Sequence, residues 1–279
     1  MPDWIVDAHH HFFDVDQFAY PWMVGPAAPL DRNYLPEHLE PHLTALGVQR
    51  TVLVQGGAEP NDTAWLLELA EKHEFIGGVV GWVDLRDPEV GKRLDELAKH
   101  PKFKGVRHVV EDEPDVDWLI REDVLRGLSE LARRGIPYDL LVDPRHLHCM
   151  RVIGERVPGL RMVIDHIAKP PIAEGLRNGW ARDMAEFARN SQIYVKLSGM
   201  ITEADWSNWK PSDLAPYVSH VVEHFGYERV MFGSDWPVCL LAGSYEQVFK
   251  ALVEALGPLS DEDRKNVFGR NACRFYGIA

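Results

Sequence analysis

The sequence predicts a (β/α)8 barrel (TIM barrel), one domain over residues 1–279 with an extended loop after the first strand. Three observations carry that prediction. The chain has 279 residues, close to the roughly 250 that such a barrel needs. Eight short apolar runs rich in β-branched residues recur along it. Helix-period segments separate them, and strand followed by helix, repeated, builds a parallel sheet rather than a sandwich or a bundle.

The expected strands are Ile5 to His11, Arg50 to Gln55, Ile76 to Val83, Gly105 to Val110, Tyr138 to Val142, Met162 to His166, Ile193 to Leu197 and Val230 to Gly233. Between them lie "PEHLEPHLTALG", "TAWLLELAEKHE", "PEVGKRLDELAKH", "REDVLRGLSELARRG", "PRHLHCMRVIGERVP", "LRNGWARDMAEFARN", "LAPYVSHVVEHFG" and "SYEQVFKALVEALG". Gly135, Gly226 and Gly257 stand where helices end, and Ser260 can cap a last helix whose first turn, Asp261 to Asp263, suits the positive end of its dipole. From Phe12 to about Pro29 the chain is rich in aromatics and prolines. It is expected to wall or partly cover the C-terminal mouth of the barrel, where sites of this fold lie.

The 30 Lys and Arg residues against 43 Asp and Glu give a formal charge of −13, which argues against nucleic acid or an anionic membrane as partner. With no 20-residue apolar run and no basic leader, a soluble, cytoplasmic protein is expected. Cys149, Cys239 and Cys273 are too widely spaced for a zinc ribbon or a disulfide framework and read as reduced thiols.

Inward-facing polar residues at the C-terminal ends of strands are the candidates for chemistry. By period 2, Ile5, Asp7, His9 and His11 share one face of the first strand, while Val6, Ala8 and His10 share the back. His9 and His11 can therefore reach one metal ion or one substrate oxygen. The later strand ends offer Gln55, Trp82, Arg107 or His108, His166 on the parity of Met162 and Ile164, Lys169 just beyond, Lys196 and Ser198 on one parity, and Asp235 on the parity of Met231 and Gly233. A single strand-end His or Asp is commonly only a solvated or capping group. HxH on the first strand, His on the sixth and Asp on the eighth together point to a site.

The motifs "DAHHHFFD" with "YPWM", "KGVRHVVE", "MVIDHIAKP", "YVKLSGM", "FGSDWPV" and "NACRFYGI" resemble the amidohydrolase superfamily, in particular its Amidohydrolase 2 branch of sugar lactonases. The resemblance spans essentially the whole chain. It implies that His9 and His11 are the first-strand pair, His166 the sixth-strand histidine and Asp235 the eighth-strand aspartate. The fourth strand offers no lysine for a bridging carbamate and the fifth no histidine, so the residues for a binuclear centre are missing. One divalent cation, zinc or manganese, can be held by His9, His11, Asp235 and His166. Alternatively no cofactor is required, and the missing ligands favour that option.

The implied activity is hydrolysis of a sugar lactone such as L-fuconolactone, L-galactonolactone or L-rhamnonolactone. Asp235 activates water, and His9, His11, His166 and Arg107 stabilise the oxyanion. Trp22, Gln55, Trp82, His108, Lys169, Lys196, Ser198 and Trp236 are expected to contact the polyhydroxylated ring. The rival within the branch is a metal-dependent decarboxylase of an aromatic or muconate-type acid. A non-enzymatic binding module is a third class, which leaves Asp235 and its three histidines without employment. The oligomeric state is open, a homo-oligomer included.

Overall fold

The structure, a computed structural model, describes residues 3–278. Eight parallel strands form one sheet in sequence order: β1 (Ile5–His10), β2 (Val48–Val54), β3 (Ile76–Gly81), β4 (Phe103–Val109), β5 (Tyr138–Leu141), β6 (Met162–Ile164), β7 (Ile193–Leu197) and β8 (Val230–Phe232). The sheet is a barrel because its ends meet. The His11 amide donates to the Trp236 carbonyl at 2.7 Å and the Asp235 amide to the His9 carbonyl at 2.8 Å.

Outside run α1 (Pro36–Leu46), α2 (Pro60–Lys72), α3 (Val90–Leu97), α4 (Glu122–Arg134), α5 (Leu147–Arg156), α6 (Asn178–Phe187), α7 (Pro211–Phe225) and α8 (Tyr245–Leu256). In α4 the acidic residues Glu122 and Asp123 sit in the first turn and Arg133 and Arg134 in the last, each matched to the dipole, and Gly135 ends the helix in a left-handed conformation. Val124, Leu125, Leu128 and Leu131 bury its inner stripe. In α8 the Ser244 hydroxyl accepts from the Gln247 amide while the Gln247 side chain accepts from the Ser244 amide, a reciprocal cap. No helix among the described residues is long and apolar enough to cross a membrane.

The parity expected for the first strand is corrected by an irregularity in its pairing. Asp7 pairs with Thr51, but the next pair is His10 with Leu53, so the register shifts between them. Below the shift Val6 and Ala8 pack with Val52, Val54, Val80, Val163 and Met231 inside the barrel. Asp7 instead accepts from the Tyr245 hydroxyl of α8 at 3.0 Å and from the Ser234 amide at 2.8 Å. Above the shift His9 and His11 face the interior, while the His10 ring bonds the Thr51 hydroxyl at 2.8 Å. Burial raises the Asp7 carboxyl to about 6 against these hydrogen bonds.

The interior is closed from below by the end of the described chain. After α9 (Asp261–Lys265) one π-turn, Asn266–Arg270, leads into α10 (Asn271–Tyr276). Phe275, Tyr276 and Ile278 join the interior cluster. A side chain at Gly269 would meet the Trp4 carbonyl oxygen at 1.8 Å, so glycine lets this turn lie against the start of β1. Above the barrel, the loop after β1 is pinned by reciprocal backbone bonds between Phe13 and Tyr34 at 2.9 and 2.8 Å. Phe13 also packs against Tyr20, Trp22 and Tyr34.

The Tyr276 hydroxyl donates to Asp139 Oδ2 at 2.7 Å from this floor, with both residues buried. Tyr276→Phe deletes one charge-assisted hydrogen bond and is expected to cost about 1.5–3 kcal/mol, read as a lower urea midpoint at unchanged m-value.

Candidate active site

The barrel interior above its apolar layers is charged. Lys196, on β7, is fully buried, with its Nζ 2.6 Å from Asp139 Oδ2 on β5, 3.0 Å from Asp165 Oδ1 after β6 and 3.1 Å from His9 Nδ1 on β1. Burial opposes ionisation of Asp165, but the charges of Lys196 and Arg107 and the Lys196 hydrogen bond outweigh it and hold the carboxyl below its ordinary range. Asp139 ends at about 6, raised by burial and restrained by Lys196. Arg107 of β4 lies 3.5 Å from Asp165 Oδ2 and 3.3 Å from His9 Nε2, and donates to the Gln55 carbonyl at 2.5 Å.

Directly above are four groups from three strand ends. His9 Nε2 and His11 Nε2 are 3.3 Å apart. Asp235 Oδ1 lies 3.4 Å from His11 Nε2 and 3.8 Å from both His9 Nε2 and His166 Nε2. Burial keeps all three imidazoles neutral, with His11 lowered to about 3. It pushes Asp235 up to about 7, against the pull of Lys169 and Arg107.

His166 does not arrive by strand parity, which is a correction. Strand β6 ends at Ile164, and Met162 and Ile164 face the helices with the outer core, whereas Val163 faces inward. His166, Ile167, Ala168 and Lys169 all take positive φ, between 44° and 59°. Four left-handed residues without a glycine cost about 1–2 kcal/mol each. They swing His166 and Lys169 into the mouth and leave Asp165 pointing down to Lys196. The room for the ring comes from Gly199 (φ +62°), where a Cβ would lie 2.5 Å from His166 Nδ1, and Ser198 bonds that same nitrogen at 2.9 Å.

A cavity of about 300 Å³ opens above these groups. His11, Arg107, His166 and Asp235 form its floor, Trp22, Val24, Pro26 and Ala27 of the first loop one wall, and Trp206, Val238 and Leu241 another. A charged corner completes it. Lys169 Nζ lies 2.6 Å from Glu111 Oε2 and 3.9 Å from Glu203 Oε1, with Asp112 beside them. Burial raises Glu203 to about 7, with Lys169 opposing and Glu111 adding to the rise.

Of the expected ring-contacting residues, Trp22 and Lys169 line this cavity. Six others do not, and each has a structural partner instead. Lys196 is beneath the floor between two carboxylates. Gln55 uses its amide on the Gly57 and Glu59 carbonyls. Trp82 donates to His108 Nδ1 at 2.9 Å, and His108 stacks on Trp118 at 4.0 Å and bonds Glu113. Ser198 supports His166, and Trp236 is buried between Phe12 and Tyr34. Asp139, Asp165, Glu111, Glu203 and Trp206 were not among the expected site residues. A lone Asp within "YDLLV" or "MVID" is the signal for the first two, since a charge on an inward face needs an inward partner.

The donor set fits a divalent cation. Tetrahedral ligands at about 2.0–2.1 Å from zinc lie about 3.3 Å from one another, and the His9, His11 and Asp235 ligand atoms are separated by 3.3, 3.4 and 3.8 Å. The Val54 carbonyl at 2.7 Å takes the His11 Nδ1 proton and leaves its Nε2 lone pair free. His9 Nδ1 lies between the Lys196 ammonium at 3.1 Å, which donates, and Asp165 Oδ1 at 3.4 Å, which accepts, so His9 Nε2 offers a lone pair only in the tautomer whose Nδ1 proton goes to Asp165. Arg107 competes for His9 Nε2.

The family model described as Amidohydrolase matches residues 6–278. The chain belongs to the amidohydrolase family. As a member it is a hydrolase. It is similar to an L-fucono-1,5-lactonase of Burkholderia ambifaria, 38% identical over 98% of this chain and 95% of that one. A crystal structure of an amidohydrolase from Burkholderia multivorans with bound HEPES superposes with TM-score 0.93 at 35% identity, covering 99% of this chain and all of that one. A second crystal form of that protein, with bound zinc, gives 0.92 over the same coverage.

Lys196→Met leaves Asp139 and Asp165 buried with too little positive charge and is expected to cost about 3–5 kcal/mol, measured by denaturant unfolding. Gly199→Ala is expected to displace His166 and lower turnover at least about tenfold, equivalent to about 1.4 kcal/mol of barrier. A crystal structure of that variant with the His166 ring unmoved contradicts the prediction.

Proposed function

We propose that the protein hydrolyses a neutral sugar lactone to the open aldonic acid. The observation that carries this reading is the buried Asp235 at the floor of a cavity whose walls join an indole to a corner of hydrogen-bonding charges. The L-fucono-1,5-lactonase name of the Burkholderia ambifaria relative supports the class and makes L-fuconolactone the first substrate to try. L-Galactonolactone and L-rhamnonolactone follow.

A lactone lying on the floor presents its carbonyl to Asp235. The carboxylate accepts a proton from the attacking water. The tetrahedral oxyanion receives hydrogen bonds from Arg107 and His166, which line the same cavity and are held by fixed partners. When the ring C–O bond breaks, the carboxyl of Asp235 returns its proton to the leaving alkoxide. A divalent ion held by His9, His11 and Asp235 would supply Lewis-acid polarisation of the carbonyl and acidify bound water.

Away from the reacting bond, Lys169 donates to ring hydroxyls, and Glu111 and Glu203 accept from them. Trp22 covers the C–H face, with Trp206 opposite. A second carboxylate on the substrate would meet Glu111, Asp112 and Glu203, which disfavours a muconate-type diacid and any dicarboxylated lactone.

Aldonolactones screened with a pH indicator, with and without exhaustive chelation, test the reading. Turnover of L-fuconolactone is expected, with Asp235→Asn lowering it about 10³-fold or more, within the range that general acid-base and electrostatic contributions span. Carbon dioxide from aromatic acids with no lactone turnover would sink it. Activity that survives chelation favours the metal-free route; activity restored by zinc or manganese favours the ion.

Glu203 gives a pH prediction. It is protonated below about 7 and anionic above. The aldonate product should therefore inhibit more weakly at pH 8 than at pH 6, and Glu203→Gln should shrink that difference. An inhibition constant with the same pH dependence in both proteins rejects this role for Glu203.

A further inference from the structure

Outside the barrel interior, a second set of donors converges where the connection after β4 meets the start of α5. Asp117 precedes the short turn Trp118–Ile120, and His148 and Cys149 lie in the first turn of α5. His148 Nε2 is 2.6 Å from Asp117 Oδ1 and 3.4 Å from Cys149 Sγ. The sulfur is also 3.6 Å from the Val116 carbonyl, so the thiol is held against the backbone that carries Asp117. The three ligand atoms lie within 4.8 Å of one another.

The orientation of the His148 ring is informative. Its Nδ1 is 2.9 Å from the Arg145 carbonyl oxygen, which can only accept, so this nitrogen carries a proton. In the neutral ring Nε2 then presents a lone pair to a carboxylate oxygen at 2.6 Å. Two acceptors at that separation require a shared cation, either a proton or a metal. Behind them is a buried sulfur, while the Asp117 and His148 side chains are 58% and 50% exposed and leave the approach from solvent open.

We infer that Asp117, His148 and Cys149 form a second metal site, on the outer rim of the barrel, for a thiophilic divalent cation such as zinc. Zinc bonds of about 2.3 Å to sulfur and 2.0–2.2 Å to nitrogen or oxygen place ligands about 3.3–3.6 Å apart. The sulfur-to-nitrogen distance of 3.4 Å already matches, and the exposed Asp117 carboxylate, 2.6 Å from His148 Nε2, must withdraw from the ring to admit the ion. Binding releases the thiol proton to solvent, and a water completes four-coordination. The bound ion would cross-link the connection that carries Glu111 and Asp112 at the cavity wall to α5. This site is independent of the lactonase reading.

Cobalt(II) titration of the intact protein tests it, because a thiolate ligand gives a near-ultraviolet sulfur-to-cobalt charge-transfer band and the interior donors His9, His11 and Asp235 contain no sulfur. Titration through two equivalents, one for each donor set, should develop that band in the wild type. Cys149→Ser should abolish it, and Asp117→Asn or His148→Gln, both at half-exposed positions that leave the core intact, should weaken binding by about tenfold or more. His11→Asn should keep the band. Absence of the band in the wild type, or a band that persists in Cys149→Ser, overturns the site.

Discussion

A lysine ammonium with no access to water must be surrounded by acceptors, and Lys196 sets the interior of this barrel by that requirement. Its two carboxylates come from β5 and from the end of β6, and its third neighbour is a histidine on β1, so a single cation ties four staves together. Desolvating such ions is expensive, and a buried pair earns little net stability on its own. Its value here is positional. Lys196 and the ionised Asp165 both face His9 Nδ1, and the balance between donor and acceptor there sets which nitrogen of that ring carries the proton, and therefore what its other nitrogen can offer to the cavity.

The site is thus built in two tiers. The lower tier of Lys196, Asp139 and Asp165 touches no cavity surface, while the upper tier of His11, Arg107, His166 and Asp235 does. Arg107 belongs to both, with one terminal nitrogen toward His9 and Asp165 and the other on the Gln55 carbonyl. Electrostatic preorganisation of this sort requires that the groups aimed at the reacting atoms cannot turn away during the reaction. The glycines beside the tiers serve the same end. Gly233 lets His9 lie against β8, where a Cβ would approach the His9 Cβ to 2.8 Å.

The barrel was legible in the sequence because strands buried on both faces leave continuous apolar runs, and helix ends carry glycine and cap residues. His11 and Asp235 were legible because strand-end parity predicts an inward direction. Parity failed at two irregular stretches of backbone. The shift in β1 turned Asp7 toward α8, and the left-handed run after β6 placed His166 inward despite its parity. The polar residues expected at the substrate lie away from the cavity for another reason: Lys196, Ser198 and Gln55 satisfy buried neighbours, and such partnerships depend on which strands become adjacent. The roles of Asp139 and Asp165 are illegible for the same cause, since their partner is a lysine more than thirty residues away.

The floor of the barrel bears on how the chain reaches its final state. Tyr276 bonds Asp139 from below, and Phe275 and Ile278 seal the apolar layer beneath it. These residues are translated after all eight strands, so a nascent chain that has already paired β1 to β8 still exposes an open-bottomed barrel to water. The charged tier cannot be dry until that segment docks. The segment that seals the interior therefore follows, in chain order, every strand that it covers, and the ion cluster becomes dry only with its docking.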